Sequence, residues 1–189
     1  MDSTTTDAAS VVKRRAKPPN PPTDPSGPTG RLATWVAETT LDDVPSSVRD
    51  RAKHLILDGI ACAIVGAQLP VSRIGVEGVT ALESAGDVEL IGWDGRATSA
   101  TSAAMLNSSF IQGFELDDYH PLAPLHSNSI VLPAMLAAAA RLGSVSGETF
   151  LLGAILGYET GPRVGQALGG LDMLSRGWHS GVVFGPIPA

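Results

Sequence analysis

Five glycines recur at a strict four-residue step, at positions 153, 157, 161, 165 and 169, in a stretch whose other residues favour helix. Glycine in a helix interior costs about 1 kcal/mol relative to alanine. A ladder of them must be offset by something that larger side chains would prevent, and close approach of a neighbouring backbone is the natural source. A four-residue step drifts by about 40° per repeat on a straight helix, so the five glycines are not expected to share one face. Pro162 is expected to break or kink the helix. A phosphate-cradling loop is the alternative use of so much glycine, but no Gly-x-Gly-x-x-Gly or Lys-Ser/Thr pattern accompanies it. Composition points the same way. Hydrophobic residues make up 43% of the chain and aromatics only 5%, with 21 glycines, which suits closely packed helices better than a β-sandwich. The expected fold class is mainly α.

The pattern divides the chain in two. Residues 1–30 read as a disordered, Pro-rich tail, since Ser/Thr, the basic cluster Lys13–Lys17 and a proline-rich run cannot build a core. The basic cluster has the charge of an organelle-targeting segment. Asp2, Asp7 and the lack of an amphipathic face favour a solvated tail instead. Residues 31–189 read as one helical domain. A first helix begins at Arg31, with Leu32, Trp35 and Val36 at helical spacing. A second starts at Pro45, with Asp43 as N-cap and a deep face of Val48, Ala52, Leu55, Gly59, Cys62 and Gly66. His54 lies one position off that stripe and reads as a partly exposed structural imidazole. Residues 72–84 form a third helix. Residues 87–95 form a short strand or hairpin with an Asp-Gly turn. Residues 98–115 and 127–143 are helical. The latter is capped by Ser127 or Ser129, ends at Gly143 and carries Pro133 in its first turns. The glycine-ladder helix follows, with Ser146 as N-cap and Glu148 at its positive end.

Several function classes are disfavoured at this point. The net charge of −6 argues against nucleic acid, which needs a basic face. No apolar run reaches the length expected of a membrane span. The single Cys62 excludes an internal disulfide and fits a reducing compartment. Its apolar surroundings make a buried inert thiol the expected state. The cytoplasm is the expected location, with the mitochondrion as the alternative.

The chemistry concentrates in ELDDYHPLAPLHS, residues 115–127, where Glu115, Asp117 and Asp118 stand close to His120 and His126. Pro121 and Pro124 rule out a regular helix between the histidines. Acids and imidazoles on a stiff connection suit an active-site loop on a rigid scaffold. A solvated loop that caps the next helix is the bland alternative, and the residue types alone leave both open. Metal-assisted hydrolysis is disfavoured, because the histidines lack the spacing of a zinc motif. A serine hydrolase is disfavoured by the absence of Gly-x-Ser-x-Gly. A non-catalytic helical interaction module stays open.

Three stretches, residues 51–67, 113–139 and 175–185, resemble the MmgE/PrpD family, and the Asp-Asp-Tyr-His opening is most similar to its fungal cis-aconitate decarboxylase branch. The resemblance runs from about residue 30 to 185. It implies the N-terminal part of an all-helical domain with a short hairpin, normally followed by a second α+β domain. It implies cofactor-free decarboxylation of cis-aconitate to itaconate, with a 2-methylcitrate dehydratase-type hydro-lyase as the alternative. A small tricarboxylate substrate and a homodimer in the complete protein are implied with it. Carried over position by position, the catalytic residues are His126, His179, Glu115, Asp118 and Tyr119. His120 and Asp117 fall on the substrate-binding side. Arg163 and Arg176 are the arginines available to supply positive charge. The carboxylates are expected to support imidazoles rather than to face an anionic substrate. No cofactor and no metal are expected. The chain departs from the family where relatives continue past Gly-Trp-His, and it has no lysine after Lys53. A fragment, a truncated reading frame or a degenerate copy, without turnover on its own, is the expectation.

Overall fold

A computed structural model describes residues 24–83 and 86–189. The first 23 positions of the expected tail therefore lie outside the described residues. Helix α1 spans Pro28–Glu38, with Pro28 at its first turn, where the missing amide proton costs nothing. It starts three residues ahead of the expected Arg31. A 3-10 turn at Leu41–Asp43 follows. The Asp43 carboxylate accepts from the Thr40 amide and hydroxyl at 2.9 and 2.7 Å. It does not cap the next helix, as the sequence suggested: Oδ2 takes both Thr40 bonds one turn earlier, and α2 has no side-chain cap bond. Helix α2, Ser46–Gly66, is entered through Pro45.

The deep face of α2 is Ala52, Gly59, Cys62, Ala63 and Gly66. Val48 belongs to the expected stripe but is exposed. Gly66 marks where α2 meets helix α4, Ala100–Gln112. A Cβ there would sit 1.8 Å from the Phe110 carbonyl oxygen. This is the kind of backbone approach anticipated for the glycine ladder, where the Pro188 carbonyl oxygen likewise lies 2.9 Å from a Cβ built at Gly157. His54 is exposed.

Helix α3, Pro70–Leu82, packs on α4. The two are also joined through Glu83, whose carboxylate accepts hydroxyl bonds from Thr98, Ser99 and Ser102. Between them lies the hairpin: β1 (Val88–Glu89) pairs antiparallel with β2 (Ala97–Thr98), Val88 opposite Thr98. Gly92 and Gly95 take φ of 74° and 70° in the connection, conformations open mainly to glycine.

Helices α5 (Ser127–Leu142) and α6 (Gly147–Ala167) complete the body. Two short helices, α7 (Leu171–Ser175) and α8 (Ser180–Val183), lead to the C-terminal residues. The main core joins Val76, Phe110, Ile111 and Leu132 across α3, α4 and α5. A second cluster joins Leu125, Met173 and Phe184. Ser146 caps α6 as expected, accepting from the Thr149 amide.

Pro162 does not break α6, which continues to Ala167. The ladder seats side chains rather than a helix backbone. A Cβ at Gly157 would lie 2.7 Å from Val131, at Gly161 2.7 Å from Leu125, and at Gly165 2.6 Å from Phe184. Pro188 also lies against Gly157 and Gly161, and Ala123 against Gly165, so α5, the acidic loop and the C-terminal residues meet along this helix. Gly169 lies beyond the helix with φ of 98° and serves the turn.

Among the described residues no single helix is long and apolar enough to cross a membrane. Only α2 and α3 together reach that length and composition, and they are bent by 84°.

Two substitutions separate the roles along the ladder. Gly165→Ala should lower stability by about 1–3 kcal/mol through overpacking. Gly153→Ala meets only the flexible Met135 methyl, at 3.4 Å, and should be neutral or stabilising by up to about 1 kcal/mol. Urea melts of the two variants measure the contrast.

Candidate functional site

Helix α4 ends at Gln112, and the acidic loop runs from there to α5. The chain bends sharply at Glu115, a non-glycine residue with φ of 56°. The proline-bearing turn closes on itself. The His120 amide donates to the Leu125 carbonyl at 3.0 Å, and the Ala123 amide donates to His120 Nδ1 at 3.2 Å. His120 is thus a staple of the loop. It does not line the cavity described below, contrary to its expected place on the substrate side.

The three acids take three different jobs. Asp118 caps α5, with Oδ2 accepting from the Ser127 amide at 3.1 Å and Oδ1 from the Asn128 amide at 2.7 Å. Each oxygen accepts one amide of the helix end, and Asp118, expected among the catalytic residues, does not line the cavity described below. It also supplants Ser127 and Ser129 as the expected cap. Asp117 turns inward. Its side chain is fully buried, and Oδ1 lies 3.0 Å from His126 Nδ1. It has no access to a ligand, which removes it from the expected substrate-binding set. Glu115 is exposed, and its Oε2 lies 3.3 Å from His126 Nε2.

His126 therefore sits between a buried and a solvated carboxylate. The Tyr119 ring leans over it, with centroids 5.4 Å apart. His179 arrives from the other end of the fold. Gly177, with φ of 82°, turns the chain out of α7, and His179 precedes α8. The next glycine makes room for the ring, since a Cβ at Gly181 would lie 3.2 Å from His179 Cε1. His126 and His179 line one cavity of about 150 Å³, together with Gln112, Glu115, Tyr119 and Ser180. This is small beside the roughly 300–1,000 Å³ of typical ligand sites, and its lining is mixed, with Leu125, Ile130 and Leu174 beside the polar groups.

Larger hollows lie elsewhere. One of about 450 Å³ separates α3 from α4, and two of about 550 and 640 Å³ flank α1. None of them is lined by an imidazole. Arg163 lines the α1 hollows and pairs with Glu159. Arg176 is exposed at the end of α7. Neither lines the imidazole cavity, so the positive charge expected from them is not delivered there. Among the described residues, no three His, Cys, Asp or Glu side chains converge as a metal ion would need.

The description MmgE/PrpD N-terminal domain matches residues 30–189. The chain belongs to the MmgE/PrpD family. It is 50% identical over 163 residues to a cis-aconitate decarboxylase-like protein of Aspergillus oryzae, covering 83% of this chain and 34% of that protein. It is 49% identical over 164 residues to a cis-aconitate decarboxylase of Aspergillus terreus, covering 85% of this chain and 33% of that protein. The chain thus spans about one third of the length of the curated relatives it matches. The helical architecture with one small hairpin agrees with this MmgE/PrpD N-terminal domain.

Three further polar side chains brace the helices around the cavity, and only Ser129 figures in the sequence reading, as a candidate cap. Ser129 Oγ donates within 3.0 Å of Gln112 Oε1 and 2.9 Å of the His126 carbonyl, tying α4 to α5 directly beneath the imidazole. Asn128 is fully buried. Its amide donates to the Leu55 carbonyl at 2.9 Å and accepts from the Tyr158 hydroxyl at 2.6 Å. Burial raises the Tyr158 phenol above its ordinary value, so it remains a donor. These bonds join α2, α5 and α6, and no local pattern announces them.

Burial pushes the Asp117 carboxyl up to about 6, against the lowering effect of the His126 imidazole. Burial also raises Asp118, opposed by the amides of Asn128 and Ser127.

Two outcomes follow. Asp118→Ala should cost about 1–2 kcal/mol, the range for a lost helix cap, and Asp118→Asn should cost less; chemical melts compare them. The raised Asp117 carboxyl favours the protonated form in the folded state. Its contribution is fully present below the unfolded value near 4 and is lost as pH rises through about 6. Relative to Asp117→Asn, the wild-type chain should lose stability between pH 4 and pH 7, read from paired melts across that range.

Proposed function

We propose that this chain forms the imidazole-bearing part of a cofactor-independent carbon–carbon lyase that converts cis-aconitate to itaconate. The observation that carries this reading is the convergence of His126 and His179, distant along the chain, on one small cavity. The names of the Aspergillus relatives supply the substrate.

The reaction needs no outside electron sink. Carbon dioxide leaves from the CH₂–COO⁻ arm, and the carbon–carbon bonding pair becomes the new terminal double bond. The former double-bond pair moves to the carbon beside the far carboxylate, and that carbon takes a proton. A site for this chemistry needs donors for carboxylates and an acid that works near neutral pH. Imidazole meets both needs. His126 and His179 are the groups that hold a carboxylate or deliver the proton. Tyr119, Ser180 and Gln112 supply neutral hydrogen-bonding groups beside them. Glu115 engages His126 rather than an anionic substrate, since anion against anion would repel.

The cavity lacks the permanent cations that three carboxylates demand. Arg163 and Arg176 lie outside it, and no lysine follows Lys53. Its surroundings are apolar and open, with Trp178 and Val182 exposed on either side of His179 in sequence. Both features fit a site whose remaining wall and positive charge come from outside this stretch, which spans about one third of the length of the curated relatives.

The purified 189-residue chain should therefore give no itaconate from cis-aconitate. Completing it with the remaining portion of the Aspergillus terreus relative should restore itaconate formation, followed by proton NMR. In that completed protein, His126→Ala and His179→Ala should each cut turnover by about 10²–10⁴-fold with little change in melting temperature. Full turnover in both variants, or addition of water to the double bond of cis-aconitate in place of loss of carbon dioxide, would defeat the proposal.

A further inference from the structure

Both ring nitrogens of His126 face carboxylate oxygens, but the two acids are unlike. Glu115, toward Nε2, is 69% exposed, whereas the Asp117 side chain, toward Nδ1, has no exposure at all. Asp117 Oδ2 has no hydrogen-bond partner among the described residues. A buried carboxylate oxygen without a donor is costly. The single bond to the imidazole is thus the hydrogen bond that holds this side chain in place. Glu115 has water as an alternative partner and can leave Nε2 without penalty. Asp117 has none and cannot leave Nδ1.

The ring is restrained on other sides as well. Tyr119 lies over it. The His126 carbonyl accepts from Ser129, and the capped start of α5 fixes the backbone that follows. With the backbone and one ring edge fixed, the choice left to the imidazole is which nitrogen carries the proton.

We infer that Asp117 is a positioning residue for His126: it fixes the plane of the ring and keeps a proton on Nδ1, so that Nε2 is the nitrogen that works in the cavity. This rests on the reading of His126 as a functional imidazole, though its test needs no turnover. The division of labour resembles the orienting carboxylate of a catalytic triad, where exchange for the amide yields the wrong tautomer. Above pH 6 the Asp117 carboxyl acts as an acceptor, which suits this role.

Two-bond proton–nitrogen NMR of the ¹⁵N-histidine chain at pH 7.5 reads the tautomer directly. The chain has four histidines, and the spectrum of His126→Gln assigns the one in question. In the wild-type chain, His126 Nδ1 should resonate as a protonated nitrogen. In Asp117→Asn the new amide can donate to Nδ1, and the proton should move to Nε2, exchanging the two resonance positions. Asp117→Ser, too short to reach the ring, should show the mixed pattern of a free imidazole. A purely structural role for Asp117 would lower the melting temperature without exchanging the resonances. A bare Nδ1 in the wild-type chain, or identical ring patterns in wild type and Asp117→Asn, would overturn the inference. Should neither variant fold, the wild-type spectrum alone decides. In the completed protein, Asp117→Asn should lower kcat at least tenfold with KM little changed. Exchange of the tautomer in a protein that makes no itaconate would remove the lyase reading and leave the positioning role standing.

Discussion

The contact between the Asp118 carboxylate and the first amides of α5 organises the site. A helix start presents free N–H groups and the positive end of its dipole, and a loop carboxylate that takes two of them is anchored at both oxygens. Once Asp118 is fixed, its neighbours have little freedom. Asp117 is turned into the protein, Tyr119 outward, and His126 stands at the helix entrance with its ring against Asp117. The same residue pattern that looks like a catalytic acid cluster is therefore, in part, a helix cap. The active-site and capping readings of this loop are compatible, because one carboxylate performs each.

The glycine ladder supplies the second constraint. Gly161 and Gly165 seat Leu125, Ala123 and Phe184 against α6. Leu125 and Ala123 belong to the acidic loop, and Phe184 belongs to the stretch that carries His179. One helix thus locates both histidine-bearing parts of the chain by leaving out side chains. This is how rings 126 and 179 come to share a cavity although no local sequence feature relates them.

What was legible in the sequence follows from which interactions are local. The helical class, the α5 and α6 spans, the Asp-Gly hairpin and the cap at Ser146 all rest on periodicity or on contacts within a few residues. The pairing of His126 with His179 came from resemblance, not from spacing, and the cavity is consistent with it. The misplacements share a cause. Asp43, Asp118, Arg163 and His120 each have a plausible local or catalytic use, and the structure assigns each to another partner: Thr40, the α5 amides, Glu159 and the Ala123 amide. Of the break or kink expected at Pro162, the break does not occur, since surrounding packing overrides the lost hydrogen bond and α6 runs on to Ala167. The Asn128–Tyr158 bond and the Gln112–Ser129 bond depend on tertiary neighbours alone and have no sequence signal.

Glu115 carries its side chain on a left-handed bend that glycine or asparagine would occupy more comfortably. The local backbone is thus held slightly uphill, by an amount of about 1 kcal/mol, at the very residue whose carboxylate meets Nε2. Thermal robustness and proton chemistry pull in opposite directions at this position: whatever relaxes the bend also strips the imidazole of its outer companion.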